Sequence, residues 1–263
     1  MSEEVDSYLL TRFKIVKKMG SGAYGHVFKV IDRNDQKTKA LKKNFDAFTN
    51  STDAQRTYRE IMFLFQLKHP NIVGLEDVFK AKNGKDIYIL FEYMEADLFE
   101  VTRAKNILTD RHRKYILYQI AKSLCYLHSA GIVHRDLKPS NVLVNEQCEA
   151  KICDFGLVRS IDDVEEEDKK MTEYIATRWY RAPEILLGSR TYSQAVDIWS
   201  YGCLVAEIFT GKAMFPGTST LNQIERVLKY TGVPSMADLK CLKTQFGKHL
   251  LELISTIKPI NKK

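Results

Sequence analysis

The chain has 263 residues, 44% of them hydrophobic, enough for one large domain or for two lobes around a shared cleft. Its formal net charge of +7 would suit an anionic partner, but the lysines are scattered and no long basic run stands out, which favours a solvated basic surface over nucleic-acid binding. Five cysteines (Cys125, Cys148, Cys153, Cys203, Cys241) without a CxxC pair argue against a disulfide framework and a zinc site.

In chain order, the start "MSEEVDSYLL" is acidic and lacks the apolar core of a signal peptide. Phe13, Ile15 and Met19 alternate as in a strand, and "HVFKVID" and "TKALKKNF" continue the pattern. Between them "GSGAYGHV" sets Gly20, Gly22 and Gly25 in the spacing GxGxxG, with Val27 following. Glycines let backbone amides approach phosphate oxygens. A dinucleotide-binding turn has the same spacing and opens a helix. Here strand-type residues follow directly, so a hairpin folded over a nucleotide is expected; GxxxxGK[ST] is absent.

"TDAQRTYREIMFLFQL" reads as a helix, with Thr52 and Gln55 as a capping box and Ile61, Leu64 and Phe65 as its apolar face. Glu60 shares that face and so is available to orient Lys42, two residues after Ala40; a surface pair with Arg56 is the alternative. After "KDIYILFEYM", whose apolar run is far too short to cross a bilayer, the pattern turns helical. "TDRHRKYILYQIAKSLCYLHSAG" is a helix with Gly131 as its stop. The expected architecture is α+β and bilobal. It comprises an extension over 1–12, a strand-rich lobe with one helix over 13–91, a join at 92–95 and a larger helical lobe over 96–263.

"HRDLKPSNVLV" brings His134, Arg135, Asp136, Lys138 and Asn141 together before an apolar strand, and "DFG" follows at Asp154, Phe155 and Gly156. Two acids and an amide in this order supply what phosphoryl transfer needs. These are oxygen ligands for magnesium, a carboxylate for the attacking hydroxyl, and a nearby cation for the phosphate.

Together these stretches resemble the eukaryotic protein kinases, from about Phe13 to about Gly232. The resemblance implies that Gly20, Gly22, Gly25 and Val27 cover ATP and that Lys42 holds its α/β-phosphates while paired with Glu60. It makes Asp136 the catalytic aspartate, Lys138 the neutraliser of the transferred phosphate, and Asn141 and Asp154 the magnesium ligands. Backbone groups of Glu92 and Met94 would meet the adenine edge, Phe91 stand as gatekeeper, Ala40 and Leu143 sandwich the ring, and Asp97 meet the ribose. Thr177 would steady Asp136 and Lys138, Asp197 would brace the catalytic loop, and Glu184 would complete the APE. Lys39 departs from the family's VAIK, on the strand face opposite Ala40. Cys153 would lie at the back of the nucleotide pocket, as a small buried hydrophobe or a handle for covalent ligands.

"MTEYIATRWYRAPE" is similar to the activation segment of mitogen-activated protein kinases, with Thr172-Glu173-Tyr174 in the TEY form. The resemblance implies that phosphates on Thr172 and Tyr174 are read by Arg59, Arg135 and Arg159, and by Arg178 and Arg181, respectively. The preceding acids (Asp162, Asp163, Glu165, Glu166, Glu167, Asp168) either compete for those arginines or form a solvated linker. "FEYMEADLFEVTRA" is similar to the atypical extracellular signal-regulated kinases, the seven/eight branch or mitogen-activated protein kinase fifteen, members of which are thought to phosphorylate their own TEY. A cyclin-dependent kinase is the rival reading, but "TDAQRTYREI" lacks the cyclin-binding helix signature.

The expectation is thus an ATP- and magnesium-dependent serine/threonine kinase directed at Ser/Thr-Pro sites in proteins. It would be monomeric, cytoplasmic or nuclear, bind neither nucleic acid nor membrane, and be activated by an upstream kinase or by itself. Because the chain stops before the family's last helices, exposed apolar surface and an unpaired buried Glu184 are also expected, and a catalytically weak scaffold or decoy stays open as the second reading.

Overall fold

In the computed structural model, residues 4–22, 25–104, 107–161, 178–189, 193–235 and 237–238 are described. They fall into two compact units: Met1–Asp97 with Leu143–Leu157, and Leu98–Val142 with Val158–Lys263. The stretch 143–157, placed by the sequence reading in the helical lobe, therefore packs with the strands.

The first unit is built on an antiparallel five-stranded sheet in the order β1-β2-β3-β5-β4. Its strands are β1 (Phe13–Gly22), β2 (Gly25–Asp32), β3 (Thr38–Asn44), β4 (Leu75–Lys80) and β5 (Ile87–Glu92). The alternation expected of β1 holds at Phe13, which is buried, but register shifts after Ile15 and Lys18 break it, and Met19 is exposed. A short helix, α1 (Ser7–Arg12), precedes the sheet, and Val5 and Leu9 join Phe13, Phe28, Val30, Leu41, Tyr88 and Leu90 in its core. Burying each of the first two contributes on the order of 1.5–3 kcal/mol.

Helix α2 (Ser51–Gln66) starts one residue before the expected one and is capped differently. Asn50, not Thr52, is the N-cap: its Oδ1 accepts from the Asp53 backbone N–H at 2.9 Å, and its amide donates to the Asp53 carboxylate at 2.7 Å. The buried face runs Thr57, Glu60, Leu64, whereas Phe65 is 67% exposed and so is not part of it. A carboxylate, Glu60, takes the central place that an apolar pattern would assign to a hydrophobe. Lys39 is 8% exposed and is neutralised by Glu76 and by Asp35 at 3.4 Å, which is how the sheet accommodates a lysine on the face opposite Ala40.

A three-stranded sheet, β6 (Ala96–Asp97), β8 (Val142–Val144) and β9 (Ala150–Ile152), completes this unit. Ile152 lies parallel to Ile72, and its backbone bonds both Asn71 and Val73 at 2.9 Å.

In the second unit, α3 (Leu98–Arg103) precedes α4 (Asp110–Ser129), which is capped by Thr109 and followed by Gly131 at φ +69, the stop expected from sequence. Helix α4 buries Ile116, Leu117, Ile120, Leu124 and Leu127 at helical spacing. After β7 (Ile132–Val133), paired with β10 (Arg159–Ser160), come α5 (Pro183–Leu186), α6 (Ala195–Thr210) and α7 (Thr220–Thr231). Tyr180, Cys203, Phe215 and Val227 form one buried cluster, with Trp199 stacked on Phe215 at 5.8 Å. Glu184, expected to be buried, is half-buried. Among the described residues no helix is long and apolar enough to cross a membrane.

Candidate active site

In the first unit the glycine cluster forms the end of the β1–β2 hairpin, with Gly20 opposite Val27 and Gly22 opposite Gly25. Gly25 is irreplaceable on steric grounds: its φ is +155, and a Cβ there would stand 1.9 Å from the carbonyl oxygen of Lys43. A Cβ on Gly20 or Gly22 would meet nothing within 4 Å, so packing makes no such demand on the other two.

Beneath this hairpin's strands lies a cavity of about 240 Å³ lined by Val27, Ala40, Phe91, Met94 and Leu143 on its apolar walls, and by Lys42, Glu60, Glu92 and Asp154. Strand pleating puts Ala40 and Lys42 on the same face of β3. The Lys42 ammonium meets both oxygens of Glu60, at 2.7 and 2.9 Å. Burial alone would pull that ammonium down, but Glu60 and Asp154 more than offset it, and it stands above the usual lysine range. Of the two readings, the inward pairing is the one that forms.

Asp154 follows β9 at φ +65, ahead of the 3-10 turn Phe155–Leu157, whose Phe155 is fully buried. Cys153 also lines the cavity, and burial, reinforced by Asp154, pushes its thiol well above the usual range. A thiol so poor in thiolate is a weak nucleophile, which favours the hydrophobe over the covalent handle. At the far end of the cavity the Glu92 carboxylate accepts from the Gly74 N–H at 2.6 Å and pairs with Lys151 at 2.9 Å. Asp97 is in register with Leu143 across β6 and β8.

In the second unit the loop after β7 is organised by Asp197, near the start of α6 and fully buried. Its carboxylate accepts from the backbone N–H groups of His134 and Arg135, both at 2.8 Å, and pairs with His128 Nε2 at 2.9 Å. That grip holds Arg135 at φ +71, a left-handed conformation that L side chains avoid. The loop then presents Asp136, whose Oδ2 receives the Lys138 ammonium at 2.6 Å and the Asn141 amide at 3.1 Å. The Asn141 amide also reaches the Asp136 carbonyl at 2.8 Å, which turns the Asn141 oxygen away from Asp136.

Arg178 opens the 3-10 turn Arg178–Tyr180 and Arg181 follows it. Burial draws the Arg181 guanidinium below its usual range; Asp136 opposes this, and the charges of Arg178 and Arg135 add to it. Arg135, Arg178 and Asp136 therefore all lie within electrostatic reach of Arg181. Arg159 lies on β10 opposite Val133, and Arg59 on α2 of the first unit. Thr172, Tyr174, Thr177 and the acidic run lie outside the described residues.

Sequence reasoning missed Met19 and Val73 in the cavity lining, Lys151 beside Glu92, and His128 on Asp197. Met19 adjoins Gly20 and could have been read from the strand. Val73 carries no such signal, because it is positioned by the backbone bond to Ile152.

The protein kinase domain family matches residues 13–259. Extracellular signal-regulated kinase 2 of Dictyostelium discoideum is 52% identical over 262 residues, which are 98% of this chain and 71% of that protein. Mitogen-activated protein kinase 15 of Caenorhabditis elegans is 48% identical, covering 96% of this chain and 55% of its own length. The Xenopus laevis protein of the same name is 49% identical, covering 96% and 44%. The chain thus spans about half the length of these last two relatives.

Proposed function

The chain belongs to the protein kinase family, in its mitogen-activated branch, and from that premise we propose that it transfers the γ-phosphate of ATP to serine or threonine in protein substrates. The observation that carries the reading is the Lys42–Glu60 ion pair in an apolar cavity that Asp154 also lines. Apolar walls at Val27, Ala40 and Leu143 suit a flat heterocycle, and a lysine fixed by a carboxylate suits its phosphates. The glycine amides of Gly20 and Gly22 cover the nucleotide from the hairpin. Glu92 and Met94 offer backbone groups to the adenine edge under the Phe91 gatekeeper, and Asp97 takes the ribose.

Asp154 of the first unit carries a hard carboxylate oxygen and Asn141 of the second an amide oxygen, donors that suit magnesium, and each would serve as a ligand to it. Magnesium so held would supply positive charge against the phosphates. Asp136 orients the substrate hydroxyl and takes its proton; Lys138, already on the Asp136 carboxylate, neutralises charge on the group being moved. Asp197 and Glu184 hold the fold that presents these groups.

Substrates carry Ser/Thr-Pro sites, and phosphorylation of Thr172 and Tyr174 is the switch. Arg135 and Arg178, within electrostatic reach of Arg181, support it: each phosphate adds about −1.5 to −2 charge at neutral pH, which these cations would attract. Arg59 and Arg159 add to the reading of phospho-Thr172, Thr177 steadies Asp136 and Lys138, and the chain phosphorylates its own TEY. Intact mass after incubation with Mg-ATP, together with transfer to a Ser/Thr-Pro peptide, tests both claims. Asp136→Asn is expected to abolish transfer and keep nucleotide binding. Transfer by that variant at the wild-type rate refutes the mechanism, and an unphosphorylated Thr172 and Tyr174 in the wild type refutes self-activation.

A further inference from the structure

The kinase-family match begins at residue 13, yet the residues just before it are tied into the sheet that carries Lys42. Both carboxylate oxygens of Glu4 lie 3.1 Å from the Lys18 ammonium on β1. The Glu4 carbonyl accepts from the Lys43 ammonium on β3, also at 3.1 Å. The Asp6 backbone N–H donates to the Tyr88 hydroxyl on β5 at 3.1 Å. The β4–β5 turn closes the arrangement: the Lys82 N–H donates to Asp6 at 2.7 Å, the Lys82 ammonium to Ser7 Oγ at 2.7 Å, and the Tyr8 hydroxyl to the Lys80 carbonyl at 2.6 Å. Under these polar contacts Val5 and Leu9 are buried. One short segment therefore bridges strands that are not all neighbours in the sheet.

Its position relative to the cavity follows from the pleat, since successive side chains point to opposite faces. Val27, Ala40, Lys42 and Phe91 line the cavity, while Phe28, Leu41 and Leu90, each one position away, pack in the core cluster that holds Val5 and Leu9. Lys43, next to Lys42, is fixed at its tip by the Glu4 carbonyl and by Asp86 at 3.3 Å, between the rings of Phe45 and Tyr88. Whatever loosens Glu4–Arg12 from this face frees β1, β3 and β5 to shift against one another, and the cavity residues ride on those strands.

We propose that Glu4–Arg12 is a positioning strap for the nucleotide cavity: docked on the back of the sheet, it sets the spacing of the strands that bear the glycine hairpin, Lys42 and Phe91. The inference rests on the kinase reading, because it takes the cavity to be a nucleotide site. Binding being reciprocal, nucleotide must then protect the strap to the same extent that the docked strap favours nucleotide.

The test uses the full chain with two variants. Leu9→Ala removes the strap's buried anchor; Tyr88→Phe removes the hydroxyl that receives the Asp6 N–H and also faces the Lys43 ammonium, a milder change that keeps the test available where Leu9→Ala does not fold. Hydrogen exchange at residues 4–12 and the Mg-ATP dissociation constant are measured on each, well below its melting temperature. The expected result is faster exchange in the strap, slower exchange there when the wild type binds Mg-ATP, and an ATP affinity weakened by about fivefold or more. In turnover this appears as a raised KM for ATP with kcat little changed. Loosened straps with an unchanged dissociation constant overturn the inference and leave the kinase reading standing. A wild-type chain that does not bind Mg-ATP overturns both.

Discussion

Replacing Asp197 with alanine strips the acceptor from two backbone N–H groups, that of His134, which is buried, and that of Arg135, which is partly buried, each now bonded at 2.8 Å. A buried donor left unsatisfied costs about 1–3 kcal/mol and a partly solvated one less, so the pair costs about 2–5 kcal/mol. His128, with its side chain 15% exposed, can turn its ring nitrogen to water and adds less. Relaxation of the left-handed Arg135 backbone, once those bonds are gone, returns about 1–2 kcal/mol of that cost. Against a total stability of about 5–15 kcal/mol, Asp197→Ala is expected to lower stability by about 1–4 kcal/mol net. Asp197→Asn keeps one acceptor oxygen and should cost about half as much. Both tryptophans, Trp179 and Trp199, lie in the same unit as Asp197, so urea unfolding followed by intrinsic fluorescence reports on the right part of the chain. A loss below about 1 kcal/mol for Asp197→Ala, or an asparagine variant as damaged as the alanine one, would refute the reasoning.

Lys42→Met leaves the Glu60 carboxylate, 7% exposed, without its cation; because the lysine side chain is 29% exposed to the open cavity, the expected loss is about 1–3 kcal/mol, below that of a fully enclosed pair. Thermal melts with and without Mg-ATP should show that loss and no stabilisation by nucleotide. Gly25→Ala forces a Cβ onto the Lys43 carbonyl, so the β2–β3 ladder must part at that end, and ATP affinity should fall by at least about tenfold while Gly22→Ala, with open space around it, keeps the fold. Asp86 gives an acid-limb prediction. Burial alone would raise its carboxyl, but bonds from the Asp46 N–H, Asn83 and Lys43 outweigh it and hold the folded value below 3.8. Its contribution is therefore present above the unfolded value and lost as pH falls through the folded one, so the stability gap between wild type and Asp86→Asn should be constant from pH 7 to about 5 and close below about 4.

Much of the site was legible because its chemistry is written in short, ordered stretches. A helix face made Glu60 available to Lys42, the kinase resemblance paired the two, and they meet. The β-type residues after Gly25 pointed to a hairpin, and a hairpin forms. What failed to show was set by partners distant in sequence or by local competition. Asn50 outcompeted Thr52 as the cap because Asp53 returns its side chain to it. Phe65 follows the helical period of Ile61 yet stays exposed, since the buried stripe is centred on a carboxylate and not on the apolar residues. Glu4 and Leu9 gave no signal that an acidic, half-helical leader would join the core, for their partners lie on three strands and a turn. Lys39 looked like a departure from a pattern and is answered by Glu76, far along the chain.

The attachment of Leu143–Leu157 to the first unit has a consequence for how the chain comes into being. Asn71 and Val73 find their backbone partners on Ile152, the Asn71 side chain on the Ala150 carbonyl, and the cavity its Leu143 wall and Asp154 only from this late segment. A nascent polypeptide emerging from the ribosome must wait, with the sheet already made and one wall missing, while the whole of α3, α4 and the Asp136 loop is synthesised. Competence to grasp a nucleotide is then acquired late and all at once, after residue 157 has emerged, rather than growing with the sheet.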